Sequence, residues 1–124
     1  MNKDTMLLHY DDEEDILFFH SKDNYEYEVS DFLTNLIVLD YNKDRLPIGI
    51  DILHASEVLN TKKDFIKNIK KGEITIEINE EEIELRLNLT ISFDKKATTL
   101  PINFIVANKY QIPSIQTEIA IGSA

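Results

Sequence analysis

Three histidines and one acidic run are the side chains of this 124-residue sequence that could bind a metal ion or take part in catalysis. They are His9, His20 and His54, and Asp11, Asp12, Glu13, Glu14 and Asp15. Carboxylate oxygens are the ligands that Ca²⁺ and Mg²⁺ prefer. The histidines lack the short repeated spacing typical of metal motifs. A divalent-metal enzyme that uses Asp11, Glu13, Asp15 and a nearby histidine is therefore one hypothesis, and a solvated turn is the simpler interpretation.

A second acidic pattern, Asp40-x-Asn42-x-Asp44, copies the opening ligand positions of an EF-hand calcium loop. Arg45 stands where that loop needs glycine, and Asp51 stands at the twelfth position, where the loop needs glutamate. Strand-like patterns, rather than helical ones, flank the segment. The pattern therefore predicts a hairpin turn and not a calcium site.

The composition excludes several kinds of chemistry. The sequence contains no cysteine, which rules out disulfides, thiolate zinc sites and cysteine nucleophiles. Its three glycines, Gly49, Gly72 and Gly122, are too far apart to form a phosphate-binding loop, and no G-x-S-x-G motif is present. We therefore predict that the protein is not an enzyme and has no catalytic residues, cofactor or bound metal.

The net charge of −10 arises entirely in the first half of the chain. Residues 1–59 carry 14 acidic and 4 basic side chains, a net of −10, whereas residues 60–124 carry 9 of each. Because phosphate binding needs clustered cations, direct binding to nucleic acid or to an anionic membrane is not expected. A basic protein is the partner that this charge favours. The predicted interaction surface consists of Asp11, Asp12, Glu13, Glu14, Asp15, Glu26 and Glu28.

Length and hydropathy are typical of a single domain covering residues 1–124, with a core that needs neither metal nor disulfide. No stretch approaches the roughly 20 apolar residues that cross a bilayer. The segment from Met1 to Leu8 lacks the apolar run of a signal peptide. We therefore expect a cytoplasmic location.

Apolar alternation predicts strands along most of the chain. The run Leu36–Leu39 and the alternating segment Ile48–Leu53 predict a hairpin with one strand buried on both faces. The alternation from Ile83 to Phe93 continues over eleven residues and excludes a helix there. Further strands are predicted at residues 7–10, 16–19, 25–29, 74–78, 102–107 and 115–121.

One helix is predicted between the two halves, near residues 56–71. The apolar stripe of Phe65, Ile66 and Ile69 indicates it, and Gly72 suits the left-handed position after a helix end. The predicted fold is therefore α+β, with a mainly antiparallel β-sheet of about seven to eight strands and this one central helix. An acidic hairpin region would cover residues 1–57, and a helix plus β-rich region would cover residues 58–124.

Three segments of the first half occur in an order that is similar to a known family. They are Tyr10–Phe19, Leu39–Asp44 and Gly49–Ser56. Residues 6–57 thereby resemble a small prokaryotic family catalogued as a domain of unknown function, whose members read Y-D-x-E-x-D-x-L-Y-I, D-Y-D-x-D-G and G-I-E-I-L-x-A-S. Arg45 departs from the turn glycine of this pattern. The resemblance implies an antiparallel sheet followed by a helix and no established activity or cofactor. Some relatives look like partners of small toxin proteins, which suggests an antitoxin-like role.

These observations lead to one principal functional hypothesis and two alternatives. The principal hypothesis is a non-enzymatic protein-interaction module, antitoxin-like or self-associating, because a second copy would cover an exposed sheet edge in a homo-oligomer. The first alternative is an acidic mimic of nucleic acid that inhibits a basic protein. The second alternative is the divalent-metal enzyme that uses the N-terminal carboxylates.

Overall fold

The computed structural model of the chain describes residues 4–22 and 29–123. These residues form nine strands and two helices of four residues each. The strands are Asp4–Asp11 (β1), Ile16–Ser21 (β2), Val29–Thr34 (β3), Ile37–Tyr41 (β4), Pro47–Ile52 (β5), Ile69–Ile78 (β6), Glu82–Phe93 (β7), Lys96–Ala107 (β8) and Ile115–Ser123 (β9). The helices are Ala55–Val58 (α1) and Lys63–Ile66 (α2).

All nine strands belong to one sheet, in the order β3-β4-β5-β2-β1-β9-β6-β7-β8. The parallel pair of β1 and β9 joins the strands of the two halves and makes the sheet mixed. The predicted α+β fold, with seven to eight mainly antiparallel strands and a central helix, is therefore wrong. The protein is mostly β, because the segment expected to form one helix instead holds two helices of four residues each, turns between and after them, and the start of β6.

The strands follow the apolar pattern of the sequence. Every residue of β4 is buried, as the continuous apolar run predicted. In β6 and β7, buried isoleucine and leucine side chains alternate with more exposed polar ones. Asp94 and Lys95 connect β7 to β8 with φ angles of 50° and 64°, the left-handed conformation of a two-residue hairpin turn that matches the strand twist.

The sheet curls into an open half-barrel whose concave side holds the core. Its two edge strands, β3 and β8, contact each other but are not hydrogen-bonded neighbours. The core side chains come from nearly every strand; the largest that are fully buried include Phe19, Leu39, Ile50, Ile76 and Leu85. Burial of this apolar face is the main stabilising contribution to the fold.

Asn60 ends the first helix and prevents the predicted long one. Its φ angle is 50°, and the Asn60 and Thr61 amides donate hydrogen bonds to the carbonyls of Glu57 and Ser56. This is the Schellman arrangement, in which a left-handed residue closes a helix. Ile69 then belongs to β6 and pairs with Ile91 of β7. The apolar stripe read as helical therefore divides between α2 and a strand.

Gly72 lies within β6 and not after a helix, so the role predicted for it is wrong. None of the three glycines, Gly49, Gly72 and Gly122, has a positive φ angle. A Cβ atom at Gly72 would lie 2.5 Å from the backbone oxygen of Asn88 on β7. The position needs glycine because two strands approach closely, which is a packing requirement rather than a turn requirement.

Two further predictions concern the strand at residues 25–29 and the lack of a membrane-crossing segment. Most of the strand predicted at residues 25–29 lies outside the described residues, and Val29 begins β3. Neither helix in the described part of the chain has the length or apolar character that crossing a membrane requires.

Candidate functional site

The acidic run forms the turn between β1 and β2. The Oδ1 atom of Asp11 accepts hydrogen bonds from the backbone N–H groups of Glu13 (3.0 Å) and Glu14 (3.1 Å). An aspartate that binds the amides two and three residues later stabilises a turn locally. Glu13 and Glu14 themselves are exposed. Asp11 therefore has a structural role, and the two glutamates are the most exposed charges of the run.

Asp15 ties this turn to the first helix. Its carboxylate accepts hydrogen bonds from the Tyr10 hydroxyl (2.6 Å), the Ser56 hydroxyl (2.6 Å) and the Ser56 amide (3.0 Å), and its carbonyl accepts one from the Ala55 amide (2.8 Å). Burial acts to raise the pKa of Asp15, but the hydrogen bonds from Ser56 and Tyr10 outweigh burial and lower it. Asp15 therefore joins residues 41 positions apart in the sequence and is committed to the fold.

Asp12 is paired with the second helix region. Its carboxylate lies 2.8 Å from the Lys67 ammonium, and its carbonyl accepts a hydrogen bond from the Lys63 ammonium at 3.0 Å. The hydrogen bond from Lys67 lowers the pKa of Asp12. Since both side chains of the ion pair are about half exposed (48% and 47%), its contribution to stability is small. Two of the other residues predicted for the interaction surface, Glu26 and Glu28, lie outside the described residues.

The histidines predicted as ligands do not converge on the acidic run. His54 directly precedes α1, is exposed and has a left-handed backbone conformation (φ 49°). His9 on β1 and His20 on β2 lie on the convex face of the sheet, with Asp40 of β4 and Asp51 of β5. Together with Phe18 these four side chains line an open depression of about 550 Å³. We call this group the convex patch.

The strand registers explain how the convex patch is assembled. Phe18 pairs with both His9 and Asp51, which places these three side chains in one row across the sheet. Gly49 pairs with both His20 and Asp40 in the next row, and its lack of a side chain leaves space between them. The rings of His9 and Phe18 stack with their centroids 6.0 Å apart. The patch therefore depends on the pairing of four strands.

Asp51 has the most unusual carboxyl group of the patch. Burial, and secondarily the negative charge of Asp40, raise its pKa from 3.8 to about 6, while His20 acts in the opposite direction. The Ser30 hydroxyl donates a hydrogen bond of 2.5 Å to Asp40. Within the described ranges, no group of three or more His, Asp or Glu side chains is arranged to hold a metal ion.

Sequence reasoning missed the convex patch, although one signal was present. Asp51 stands alone between Ile50 and Ile52 in a strand that is buried nearly throughout. A single carboxyl group within such a strand must face either water or a polar neighbour, since burial of an unpaired charge is unfavourable. The strand order needed to identify those neighbours is not contained in the local pattern.

The free edge of β8 is the second distinctive surface. β8 pairs with β7 along its whole length, from Lys96 opposite Phe93 to Ala107 opposite Glu82. Within the described residues its other side has no hydrogen-bonded strand, although β3, the other edge strand, contacts β8. The core-facing side chains of β8 are only half-buried; they are Leu100, Ile102, Phe104 and Val106. On the opposite face of the strand, Ile105 is 58% exposed.

An apolar groove lies beside the beginning of β8. Phe65 of α2 and Phe93 of β7 contact each other edge to face, with ring centroids 5.2 Å apart. Ile91 and Leu100 extend this surface, and the groove has a volume of about 420 Å³. The polar residues at its rim are Thr61, Asp94, Lys96, Thr98 and Thr99.

A smaller depression lies between β3 and the loop that follows β8. It has a volume of about 210 Å³, and its lining includes Tyr41, Tyr110, Asp31 and Arg45. The Tyr41 side chain is 2% exposed, and its hydroxyl has no hydrogen-bond partner among the described residues. Burial raises the pKa of Tyr41, so this hydroxyl is protonated at physiological pH.

Comparison with known proteins gives one family match and one relative. The family described as "Protein of unknown function (DUF2283)" matches residues 8–56, the segment that contains the acidic turn and the whole convex patch. A protein of the archaeon Methanosarcina mazei, named "Putative hypoxanthine phosphoribosyltransferase", is 33% identical over 104 residues, which are 84% of this chain and 83% of the relative. No solved structure matches the chain. The chain therefore belongs to the same family as this archaeal protein, and residues 8–56 within it match the domain of unknown function DUF2283.

Proposed function

We propose that the chain is a non-enzymatic protein-interaction module that binds a polypeptide partner along the free edge of β8. The observation that carries the proposal is that this strand of twelve residues pairs with β7 on one side and with no described strand on the other. Such an edge presents a row of backbone donors and acceptors, to which an extended segment of another chain can add as a further strand.

The side chains of β8 support the same surface. Its core-facing apolar side chains are half-buried because the sheet ends there. A strand added beside β8 would cover them and extend the apolar core by one row. Removal of apolar area from water stabilises an association by about 25 cal/mol per Å² before the entropic cost of binding is subtracted.

Pro101 determines which backbone groups remain available. Proline has no N–H group, and on an edge strand its nitrogen faces away from the neighbouring strand. We infer that the outward row of β8 lacks one donor at Pro101 and retains those of Asn103 and Ile105, which share its orientation. The second half of β8 is therefore the better edge for pairing.

The name of the archaeal relative is the one observation that favours an enzyme instead, a transferase acting on hypoxanthine. A phosphoribosyl donor carries several phosphate charges, which enzymes bind with clustered cations or helix N-termini. The groove beside Phe65 combines Lys96 with Asp94, and the depression beside Tyr41 combines Arg45 with Asp31. In both, one carboxylate offsets one cation, so neither favours a polyanionic ligand.

The test compares two substitutions at one position of the edge. A tagged chain is incubated with native lysate of the source organism, and the retained proteins are identified and quantified. Asn103→Pro removes the next outward donor but leaves the ladder with β7 intact, whereas Asn103→Thr keeps the N–H group. We expect the wild type and Asn103→Thr to retain a protein in stoichiometric amount and Asn103→Pro to lose it.

Three outcomes would contradict the proposal. The first is that the wild type retains no stoichiometric protein, whether another protein or the native copy of the chain. The second is that Asn103→Pro retains as much as Asn103→Thr. The third is nucleotide formation when the purified chain is incubated with hypoxanthine and phosphoribosyl diphosphate. Circular dichroism of both variants verifies that they fold.

A further inference from the structure

We propose that the partner on β8 is a second copy of this chain, paired antiparallel about a two-fold axis so that the two sheets become continuous. This inference rests on the proposed function, because it uses the same free edge. A two-fold contact requires a surface that is complementary to itself. Three properties of β8 and its surroundings meet that requirement.

The first property is the charge at the two ends of β8. The end at the β7–β8 turn carries Asp94, Lys95 and Lys96, a net charge of +1. The other end carries Glu80, Glu81, Glu82 and Lys109, a net charge of −2, and Glu82 lies opposite the last residue of β8. All seven side chains are exposed. Antiparallel pairing places the basic end of each copy against the acidic end of the other, so the complementary contact occurs twice.

The second property is the order of apolar side chains along β8. When Ile102 lies opposite Ile102 of the other copy, Leu100 lies opposite Phe104, and these side chains all share the core-facing side. Cross-strand pairs of aliphatic and aromatic side chains stabilise adjacent strands. This register continues the half-buried row of one copy into that of the other, and it pairs the free second half of each strand with the first half of its neighbour.

The third property is an exposed aromatic side chain at the end opposite the groove. Tyr110 follows the end of β8 and is 48% exposed. The groove with Phe65 and Phe93 lies at the beginning of β8. The two-fold axis brings the end of one strand to the beginning of the other. It therefore places Tyr110 of each copy at the same end of the contact as the groove of the other copy.

A charge exchange tests this arrangement with purified protein. One variant is Lys95→Glu with Lys96→Glu, which makes both ends acidic, and the other is Glu81→Lys with Glu82→Lys, which makes both ends basic. Sedimentation velocity over a concentration series gives the dissociation constant of the dimer. We expect a dimer for the wild type and a dissociation constant about tenfold higher, or more, for each variant alone. Mixing the two variants should restore the wild-type affinity.

The possible results separate this inference from the proposed function. A wild type that stays monomeric overturns the self-pairing, while the protein-interaction proposal still stands if lysate capture depends on the N–H group of Asn103. A dimer that persists in Asn103→Pro and in both charge variants places the contact elsewhere and overturns the self-pairing. Failure of the mixture to recover affinity also overturns it, since the charged ends would then not meet.

Discussion

Asp51→Asn should make the protein more stable at neutral pH and remove part of its pH dependence. The pKa of Asp51 is raised from 3.8 to about 6 by burial and by Asp40, so the folded state holds the proton of this carboxyl group more tightly than the unfolded state does. Unfolding therefore releases a proton between about pH 4 and pH 6, and the stability of the wild type falls as the pH rises through that window. Above about pH 6 the folded protein carries the full energetic cost of the buried negative charge of Asp51.

The size of the effect follows from the two pKa values. The difference between 3.8 and about 6 corresponds to about 3 kcal/mol at 1.36 kcal/mol per pH unit. Asp51 is only half-buried, and solvent screens the charge, so we expect about 1–2 kcal/mol. Asparagine resembles the protonated carboxyl group in shape and is neutral at every pH. The variant should therefore gain this amount at pH 7.5 and nothing near pH 4.

Urea denaturation at a series of pH values from 4 to 7.5 measures the free energy of unfolding of both proteins. Asp44→Asn is the matched control, because it removes the same charge from an exposed turn position. The control should differ little from the wild type across the series. The difference in the free energy of unfolding between Asp51→Asn and the wild type should differ between pH 4 and pH 7.5. If this difference were the same at both pH values, or if the variant were less stable at both, the proposed burial of the Asp51 charge would be wrong.

Two further substitutions test the packing and the turn. Gly72→Ala should lower the free energy of unfolding by about 1–3 kcal/mol, because its Cβ atom would collide with a carbonyl oxygen of β7 at 2.5 Å. Gly122→Ala is the control and should be tolerated, because the nearest neighbours of its Cβ atom lie at 3.9 Å. Denaturant titration measures both variants, and an equal loss of stability in the two would contradict this prediction. Asp15→Ala should lower the stability by about 2–3 kcal/mol at pH 7, because the Tyr10 hydroxyl and the Ser56 groups lose their acceptor. Since hydrogen bonding lowers the pKa of Asp15, this difference should shrink as the pH falls below about 4, and a difference that stays constant down to pH 2 would refute the assignment.

Local pattern was sufficient for the hairpin of β4 and β5 and for the long strand β7. The strand from Leu36 and the strand from Ile48 were predicted because turn residues separate them and because their apolar residues are contiguous or alternate. The long alternation of β7 likewise specifies a strand without any knowledge of its neighbours. Such pairs are encoded by residues that are close in the sequence, where turn chemistry sets the register.

The parts that were predicted wrongly depend on residues far apart or on a competing local signal. Asp4 and Ile119 are partners in the parallel pair, and no pattern near either residue indicates the other. The helix prediction failed because Asn60 closes α1 and because pairing with Ile91 draws Ile69 into β6. The convex patch was missed for the first reason, since Asp51 meets His20 and Asp40 only through the order of strands.

The parallel pair of β1 and β9 has a consequence for synthesis of the chain on the ribosome. β1 lies in the middle of the sheet, but its neighbour on one side is β9, the last of the nine described strands to be made. Until that segment has been translated, β1 is an edge strand whose backbone N–H and C=O groups on one side are unpaired. We therefore expect newly made chains to pass through a stage in which the unpaired side of β1 can pair with another chain, until β9 is made.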